Sequence, residues 1–330
     1  MCCDKLSYVA LMSPDIAKQS GEFKIVITPN AKDNILKIAD NGIGMNHEDL
    51  IKNIGTIAKS GTADFVANAK DNGSVVDLIG KFGVGFYSAF MVAEKVEILT
   101  KKAGEDKAYK WVSDGRGSFE IEDAQKDVNG TEITLHLKED AKDFTDTIYL
   151  RHIITTYSDH INYPIVLDLG EHGEETVNKG SALWARNKAE ITKEQYKDFY
   201  QYVSKNFDEP WMTLHFKAEG NLEYTSLLFI PSTRPYDLFQ PDKKQGLKLY
   251  VNRVFISDKV EELMPMYLRF VKGIVDSADL PLNISREMLQ KSPLIAKIRS
   301  GIISRILKEL KTRSKDAEDY AKLWENFGIA

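Results

Sequence analysis

The sequence is poor in cysteine, and this limits the chemistry open to it. Cys2 and Cys3 are the two cysteines in a chain of 330 residues. Adjacent thiols rarely form a disulfide with each other, and two cysteines cannot complete a structural zinc site alone. We therefore interpret both as reduced and incidental, and we predict a reducing compartment, the cytoplasm.

An excess of basic residues and long apolar runs are also missing. The 44 Lys and Arg residues are outnumbered by 49 Asp and Glu, which gives a net charge of −5, whereas a nucleic-acid-binding domain normally shows a basic stripe. No apolar run approaches the ~20 residues of a membrane span, and the opening MCCDKLSYVAL is too polar for a signal peptide. We predict a soluble globular chain of two domains that binds neither nucleic acid nor membranes.

Three familiar site motifs are absent. No G-x-x-x-x-G-K-[ST] segment occurs, which excludes a P-loop. Gly80, Gly83 and Gly85 have the spacing G-x-x-G-x-G, the wrong order for a dinucleotide fingerprint, and no ribose-binding acid follows. The six histidines contain no H-E-x-x-H pattern, so metalloprotease chemistry has no support. His136 and His215 lie in strand patterns and are interpreted as packing or surface residues.

The first half of the chain contains short strand patterns and amphipathic segments. Residues 23–28 and 35–40 are β-branched runs around a turn, which predicts a hairpin. Asn46 is placed to cap a helix over 47–57. Further strands are predicted at 96–100, 108–113, 118–123, 131–137 and 161–169. This order favours an α+β domain, with an antiparallel or mixed sheet and helices on one face.

An acidic, glycine-flanked stretch divides the chain. It has no apolar periodicity and is the best candidate for a linker. We therefore predict an N-terminal domain over 1–170, a short linker over 171–181 and a second α/β domain over 182–330. In the second domain the patterns predict strands at 211–217, 224–230 and 247–256, and amphipathic helices near 288–311 and 315–327.

Two glycine-rich segments suggest that phosphate is bound. Glycine tolerates positive φ and lets backbone N–H groups approach an anion closely. Gly83, Val84 and Gly85 precede a helix-like run whose N-terminus would attract a phosphate. Asp40, at the end of a predicted strand, could accept a hydrogen bond from an exocyclic amine such as that of adenine. A pair of glycine turns with a capping aspartate explains the same spacing, and the residues alone leave both interpretations open.

Longer segments resemble a known family. Four segments have the order and spacing seen in the heat-shock protein 90 chaperones: DNGIGM (40–45), NIGTIAKSGT (53–62), IGKFGVGFYSAF (79–90) and GTEITLHLKED (130–140). Four later segments resemble the middle domain of that family: LWARNKAEIT, YTSLLFIP, LKLYVNRVFISD and DSADLPLNISREMLQ. The resemblance runs through essentially the whole chain, and the short linker resembles that of the bacterial members.

The resemblance implies a fold and an ATP site. The first domain would be a Bergerat-type (GHKL) ATP-binding α/β sandwich, and the second an α/β middle domain of the ribosomal protein S5 domain 2-like type. Asp40 would bind the adenine amine, supported through water by Thr131. Gly44 and Met45 would line the base pocket, and Asn53 would lie near the sugar and the α-phosphate.

The same resemblance implies which residues contact the phosphates and how the metal ion is held. The lid would open at Lys59 and Ser60, and the phosphates would be enclosed by Gly80, Lys81, Phe82, Gly83, Val84 and Gly85. Arg286 and Gln290 would contact the γ-phosphate, because a guanidinium makes forked, charge-assisted contacts with phosphate oxygens. The cofactor would be ATP or ADP, with Mg²⁺ held through the nucleotide phosphates and no metal-binding residue assignable.

The implied function is that of an ATP-dependent chaperone, which couples nucleotide binding and hydrolysis to lid and domain closure around unfolded or partly folded client proteins. Trp184 and Phe255 match aromatic residues that contact clients in the family, and packing in the core is the alternative. Family members are homodimers, but their dimerisation domain has no counterpart here. The family segment that carries the general-base Glu and a Mg²⁺-supporting Asn has no counterpart here either. We therefore interpret the chain as truncated at both ends. A remnant that binds ATP and clients without turnover is the alternative function.

Overall fold

The computed structural model describes residues 2–12, 21–55, 85–220, 222–236, 238–240, 247–258, 260–280 and 293–329. The chain divides into two compact units, Met1–Ser181 and Ala182–Ala330. Helices and strands occur together in both units, which confirms the predicted α+β class.

The first unit is built on one mixed sheet. Its strands are β1 Ile25–Asn30, β2 Ile35–Asp40, β3 Ala93–Lys101, β4 Ala108–Ser113, β5 Glu120–Ala124, β6 Gly130–Leu137, β7 Ile165–Asp168 and β8 Glu174–Thr176. Across the sheet they lie in the order β5-β4-β3-β6-β2-β1-β7-β8. The predicted hairpin is confirmed as β1 and β2, and β1 also pairs in parallel with β7. The helices are α1 Cys2–Met12, α2 His47–Asn53, α3 Ala89–Val92 and α4 Thr147–Tyr157.

Alternation along the strands separates a buried face of this sheet from a charged one. Ile98 and Leu135 lie on the buried face, and Leu50 of α2 and Leu150 of α4 pack into the same apolar cluster. The opposite face carries ion pairs, and among the described residues Glu97 forms one such centre with Lys95, Lys110 and His136. Helices therefore cover one face of the sheet, as the sequence predicted.

Helix α2 begins at the predicted cap. The side chain of Asn46 accepts a hydrogen bond from the backbone of Asp49, and the carboxylate of Asp49 accepts one from the backbone of Asn46. This reciprocal capping box satisfies two backbone donors that the first turn leaves without helical partners. The helix ends at Asn53, sooner than predicted. The N–H groups of Ile54 and Gly55 both bond the carbonyl of Leu50, and the bond from Gly55 spans five residues and leaves the α-helical pattern.

The second unit is a sheet covered on both faces. Its elements are β9 Pro210–Ala218, β10 Tyr224–Pro231, β11 Lys248–Val251, β12 Val254–Ser257 and β13 Lys272–Asp276, with α5 Lys193–Ser204, α6 Pro293–Arg313 and α7 Ala317–Phe327. The strands lie in the order β12-β11-β13-β10-β9. In β10, Leu228 and Ile230 face one apolar cluster, and Leu227 and Phe229 face another.

Two segments differ from the prediction. The single strand predicted at 247–256 is a hairpin, because Asn252 and Arg253 have φ of 49° and 65° and form a tight turn between β11 and β12. The stretch predicted as a linker over 171–181 contains β8, which pairs with β7 and extends the first sheet. Short strands at sheet edges carry little apolar periodicity, so composition alone marked this stretch as a linker.

The turn that leaves β2 is fixed by close backbone contacts. Gly44 has a φ of +65°, and a Cβ there would collide with the carbonyl oxygen of Lys101 at the end of β3. The carbonyl of Ile43 accepts a hydrogen bond of 2.8 Å from Ala103 N–H. The side-chain amide of Asn129 donates to the carbonyl of Gly42 at 2.6 Å. Glycine is therefore required at position 44 both for its φ and for the space it leaves.

Gly44→Ala should destabilise the first unit by more than about 3 kcal/mol, because the left-handed φ and the collision with β3 add together. Gly170→Ala is the matched control, since Gly170 has a φ of +63° and no described atom within 4 Å of its added Cβ. It should cost only about 1–2 kcal/mol. Amide hydrogen exchange of β3 and β6 measures both losses, and equal losses would show that the backbone contact is unimportant.

Glu97 should stabilise the first unit in a pH-dependent way. Lys95 foremost, together with Lys110 and His136, holds the pKa of Glu97 down at about 2. Because the folded pKa lies below the unfolded value, the stabilisation is complete above about pH 4.5 and is lost as the pH falls towards 2. Glu97→Gln should therefore cost about 1–3 kcal/mol at pH 7 and almost nothing at pH 2.

Hydrogen exchange of β3, β4 and β6 at the two pH values tests this. The control is Glu174→Gln, which removes a more exposed partner of Lys24 and should cost less than about 1 kcal/mol at pH 7. A cost for Glu97→Gln that is the same at both pH values would contradict the electrostatic account.

Candidate functional site

Three polar residues form a row at one end of the buried face of the first sheet. Asp40 of β2 pairs directly with Thr131 of β6, and Thr131 pairs with Thr100 of β3. Direct cross-strand partners project from the same face. The next row on this face is apolar and consists of Ile38, Ile133 and Ile98. The structure thus brings together the two predicted adenine-binding residues, Asp40 and Thr131, where an apolar face turns polar.

Thr100 links this row to the turn after β2, and the sequence analysis did not single it out. Its side chain is 0% exposed and that of Thr131 is 4% exposed. The hydroxyl of Thr100 lies 2.9 Å from the backbone nitrogen of Met45, 3.1 Å from the carbonyl oxygen of Gly130 and 3.1 Å from the hydroxyl of Thr131. Its strand pattern was visible, and its place on the buried face follows from the alternation that begins at Val96 and Ile98.

Asp40 is held by the chain on either side of it. Its Oδ1 accepts a hydrogen bond of 2.9 Å from the backbone N–H of Gly42. Burial raises the pKa of the Asp40 carboxyl, and the Gly42 N–H, the Cys2 thiol and the charge of Lys126 act in the opposite direction. The ionised form thus has donors around it but little water, so a ligand donor placed against it would be bound strongly.

Cys2 lies against the turn after β2. Its carbonyl accepts a hydrogen bond of 3.2 Å from the N–H of Ile43, and its thiol acts to lower the pKa of the Asp40 carboxyl. Burial raises the pKa of Cys2, and it raises that of Cys3 to about 12. Both cysteines are free thiols, as predicted, but protonated ones that pack α1 against the turn after β2. This packing could not be predicted, because sequence spacing does not show which strand end a helix covers.

The remaining described site residues surround the same strand ends. Met45 packs against the apolar cluster of the first sheet while its N–H bonds Thr100. Asn53 closes α2, and its Oδ1 is buried with no hydrogen-bond partner among the described residues. Gly85 begins a short 3₁₀ helix, Gly85–Ser88, that leads into α3. The hydroxyl of Tyr87 in that helix donates to the carbonyl of Ile54 at 2.6 Å, which ties it to the end of α2.

Other predicted site residues lie outside the described residues. They are Lys59, Ser60, Gly80, Lys81, Phe82, Gly83 and Val84 in the first unit and Arg286 and Gln290 in the second. Their roles remain predictions from the resemblance.

Trp184, one of the two predicted client contacts, is a core residue. Its side chain is 1% exposed, and its Nε1–H donates to the carboxylate of Asp276 at 2.8 Å. The carbonyl of Trp184 also contacts Nε2 of His215 at 2.9 Å, so His215 packs inside the unit as predicted. The alternative of core packing is therefore the observed one for Trp184. Phe255 is half-buried on β12, at an edge of the second sheet.

The described ranges show neither a metal-ligand cluster nor a membrane-spanning helix. They contain no group of three or more His, Cys, Asp or Glu side chains that could hold a metal ion. Within these ranges, too, every helix is too short or too polar to span a membrane.

Comparison with known proteins gives two family matches. Residues 16–139 match the family of histidine kinase-, DNA gyrase B-, and HSP90-like ATPases. Residues 168–330 match the family described as Hsp90 protein.

Curated relatives match the chain almost from end to end. The chaperone protein HtpG of Paramagnetospirillum magneticum is 56% identical over 328 residues, which are 99% of this chain and 53% of the relative. The protein of the same name from Roseobacter denitrificans is 52% identical over 99% of this chain and 52% of its own length. That from Rickettsia bellii is 50% identical over 99% of this chain and 54% of its own length. The chain thus spans about half the length of these relatives, and it belongs to the heat shock protein 90 family of chaperones, as its motifs predicted.

Proposed function

We propose that this chain forms the ATP-binding and middle domains, 1–170 and 182–330, of an ATP-dependent chaperone in the cytoplasm. It binds unfolded or partly folded client proteins and couples their remodelling to binding and hydrolysis of ATP. The observation that carries the proposal is the polar row of Asp40, Thr131 and Thr100, set at the end of an apolar sheet face in a member of this family. The comparisons do not favour the binding-only alternative over this function.

The polar row fits the adenine end of the nucleotide. Asp40 offers a carboxylate oxygen to the exocyclic amine, and the neighbouring apolar row with Met45 offers a surface for the ring. A hydrogen bond from a neutral donor to a buried carboxylate contributes about 1.5–3 kcal/mol. Because Gly42, Ile43 and Gly44 are held by backbone contacts, the carboxylate is already oriented before a ligand arrives.

Asn53 fits the sugar–phosphate end. A buried amide oxygen without a partner among the described residues costs about 1–3 kcal/mol, and a ligand hydroxyl or a phosphate-bound water that donates to it recovers this cost. No described atom lies within 4 Å of the position of a Cβ on Gly85. We propose that Lys59, Ser60 and the residues from Gly80 to Gly85 enclose the phosphates, on the strength of the resemblance.

Hydrolysis is proposed from the family. ATP supplies the phosphoanhydride bond whose cleavage drives the cycle, and Arg286 and Gln290 are the proposed contacts to its γ-phosphate. We assign no general base among the described residues. On the strength of the resemblance, we propose that Mg²⁺ is bound through the nucleotide phosphates.

Client binding is proposed for the second unit. Phe255, half-buried on the edge strand β12, remains the proposed client contact. Trp184 is not proposed as a client contact, because its ring is buried. We propose that nucleic acids and membranes are not partners, since the chain carries a net charge of −5. Homodimerisation is proposed for the whole protein, as in the family.

Asp40→Asn should weaken ADP binding by about 10- to 150-fold, because the amide removes a charge-assisted acceptor. The affinity of the unchanged chain should also fall in acid. The ionised carboxylate binds the amine, and burial raises the pKa of Asp40, so the loss begins at a higher pH than for an ordinary aspartate. Calorimetric titration with ADP from pH 8 to pH 4 measures both effects.

The matched control is Asp123→Asn, which removes an exposed carboxylate on β5 of the same sheet. It should bind ADP like the unchanged chain at every pH. The phosphates and adenine of ADP also titrate in this pH range, and they do so equally with both proteins. Subtracting the affinity-against-pH curve of Asp40→Asn from that of the unchanged chain removes their contribution. Wild-type affinity in Asp40→Asn would contradict the assignment of the base-binding residue.

Arg286→Ala should leave ADP affinity unchanged, because ADP has no γ-phosphate, and should slow single-turnover hydrolysis of radiolabelled ATP by about 10³-fold or more. Lys297→Ala, which removes an exposed cation on α6, is the control and should alter neither quantity.

The unchanged chain in this assay decides between the two functions. Conversion of bound ATP to ADP supports the ATPase, and tight binding without conversion would support the binding-only alternative. An equal weakening of ADP binding in Arg286→Ala would contradict its role at the γ-phosphate.

A further inference from the structure

The hydroxyl of Thr100 has more neighbours than it has protons to give. Three polar atoms lie within hydrogen-bond distance of it: the nitrogen of Met45 at 2.9 Å, the carbonyl oxygen of Gly130 at 3.1 Å and the hydroxyl oxygen of Thr131 at 3.1 Å. The group is 0% exposed, so water does not compete for these contacts. A hydroxyl has one proton and two lone pairs, which is enough for all three contacts in only one arrangement.

That arrangement follows from the chemistry of the two backbone partners. The N–H of Met45 can only donate, so it takes one lone pair of Thr100. The carbonyl of Gly130 can only accept, so it takes the one proton of Thr100. The remaining lone pair of Thr100 must then accept from Thr131, whose own proton is thereby fixed. Any other assignment leaves a buried polar contact without a proton, which costs about 1–3 kcal/mol.

The consequence appears one strand further along the row. Because Thr131 gives its proton to Thr100, its oxygen can only accept from a ligand or from a water that bridges to one. Its direct cross-strand partner is Asp40, whose ionised carboxylate can also only accept. The Asp40 carboxylate and the Thr131 hydroxyl therefore both present acceptors to the base.

We infer that Thr100 is a specificity-determining positioning residue, which fixes the proton of Thr131 so that the site selects a purine with a 6-amino group and rejects one with a 6-oxo group. This inference rests on the proposed function, since it assumes that the base lies against Asp40 and Thr131. A 6-amino group donates a hydrogen bond to these acceptors. A 6-oxo group in the same place would instead set its own lone pairs against those of Asp40 and Thr131. Sites that leave polar groups unpaired with the wrong ligand discriminate strongly.

The turn after β2 makes the selection part of the folded structure. The N–H that completes the arrangement belongs to Met45, which directly follows Gly44 in the turn packed against the end of β3. The turn that lines the proposed base pocket therefore also orders the hydroxyls that read the base.

Calorimetry with ADP and with inosine diphosphate tests the inference in the full chain. The unchanged chain should prefer ADP by at least tenfold. Thr100→Val frees the proton of Thr131 to donate to a 6-oxo group, so the preference should fall by about tenfold. Thr100→Ser keeps the hydroxyl and should keep the preference. The control is Thr134→Val, which removes a hydroxyl from the opposite face of β6 and should change nothing.

A merely structural role for Thr100 would weaken both nucleotides together and leave their ratio unmoved, and an unmoved ratio overturns the inference. Should Thr100→Val fail to fold by circular dichroism, the Thr131 hydroxyl proton is followed by NMR in the unchanged chain with ADP. Slow exchange of that proton, with a nuclear Overhauser contact to Thr100, supports the inference, and rapid exchange or a contact to the base overturns it. Absence of any ADP binding by the unchanged chain overturns the proposed function as well.

Discussion

The hydrogen bond from the backbone of Met45 to the buried hydroxyl of Thr100 is the interaction on which the candidate site depends. It joins the turn after β2 to the end of β3, and it is possible only because Gly44 lets two backbones approach without a Cβ between them. Through it, one end of an apolar sheet face becomes a row of oriented oxygens. The acceptors that would read a base are thus fixed by the same contacts that close the turn.

The second unit uses a buried carboxylate in a comparable way for a structural purpose. Asp276, at the end of β13, accepts from the indole of Trp184 and from the backbone N–H of Arg253 in the turn between β11 and β12. Burial raises the pKa of Asp276, and the Trp184 indole and the Arg253 N–H act in the opposite direction. This carboxylate fixes a core aromatic and a hairpin turn, so Trp184 is unsuited to meet a client from solution.

Much of the fold could be predicted from local patterns, and the failures have physical reasons. Alternation and turn residues gave the hairpin of β1 and β2 and the cap at Asn46. Helix α5 was not predicted, although Thr192 and Gln195 form a capping box in the sequence. Its apolar face is rich in aromatic residues such as Phe199 and Tyr200, which also suit strands.

The candidate site was predictable in part. Asp40 and Thr131 came from motif resemblance, and their pairing across two strands is what the sheet adds. Thr100 could not be found from spacing, since its role depends on which backbone atoms meet its hydroxyl after folding. The position of Cys2 could not be predicted for the same reason, because only the packing of α1 brings it to the turn after β2.

A crystal structure of the chain with ADP is the most direct test of the account, because it shows which atoms surround the base. The exocyclic nitrogen of adenine should lie about 3 Å from a carboxylate oxygen of Asp40. Thr131 should contact the base directly or through one water, with the turn at Gly44 and Met45 unchanged. An adenine bound elsewhere, or bound here with its amine turned away from Asp40, would contradict the account.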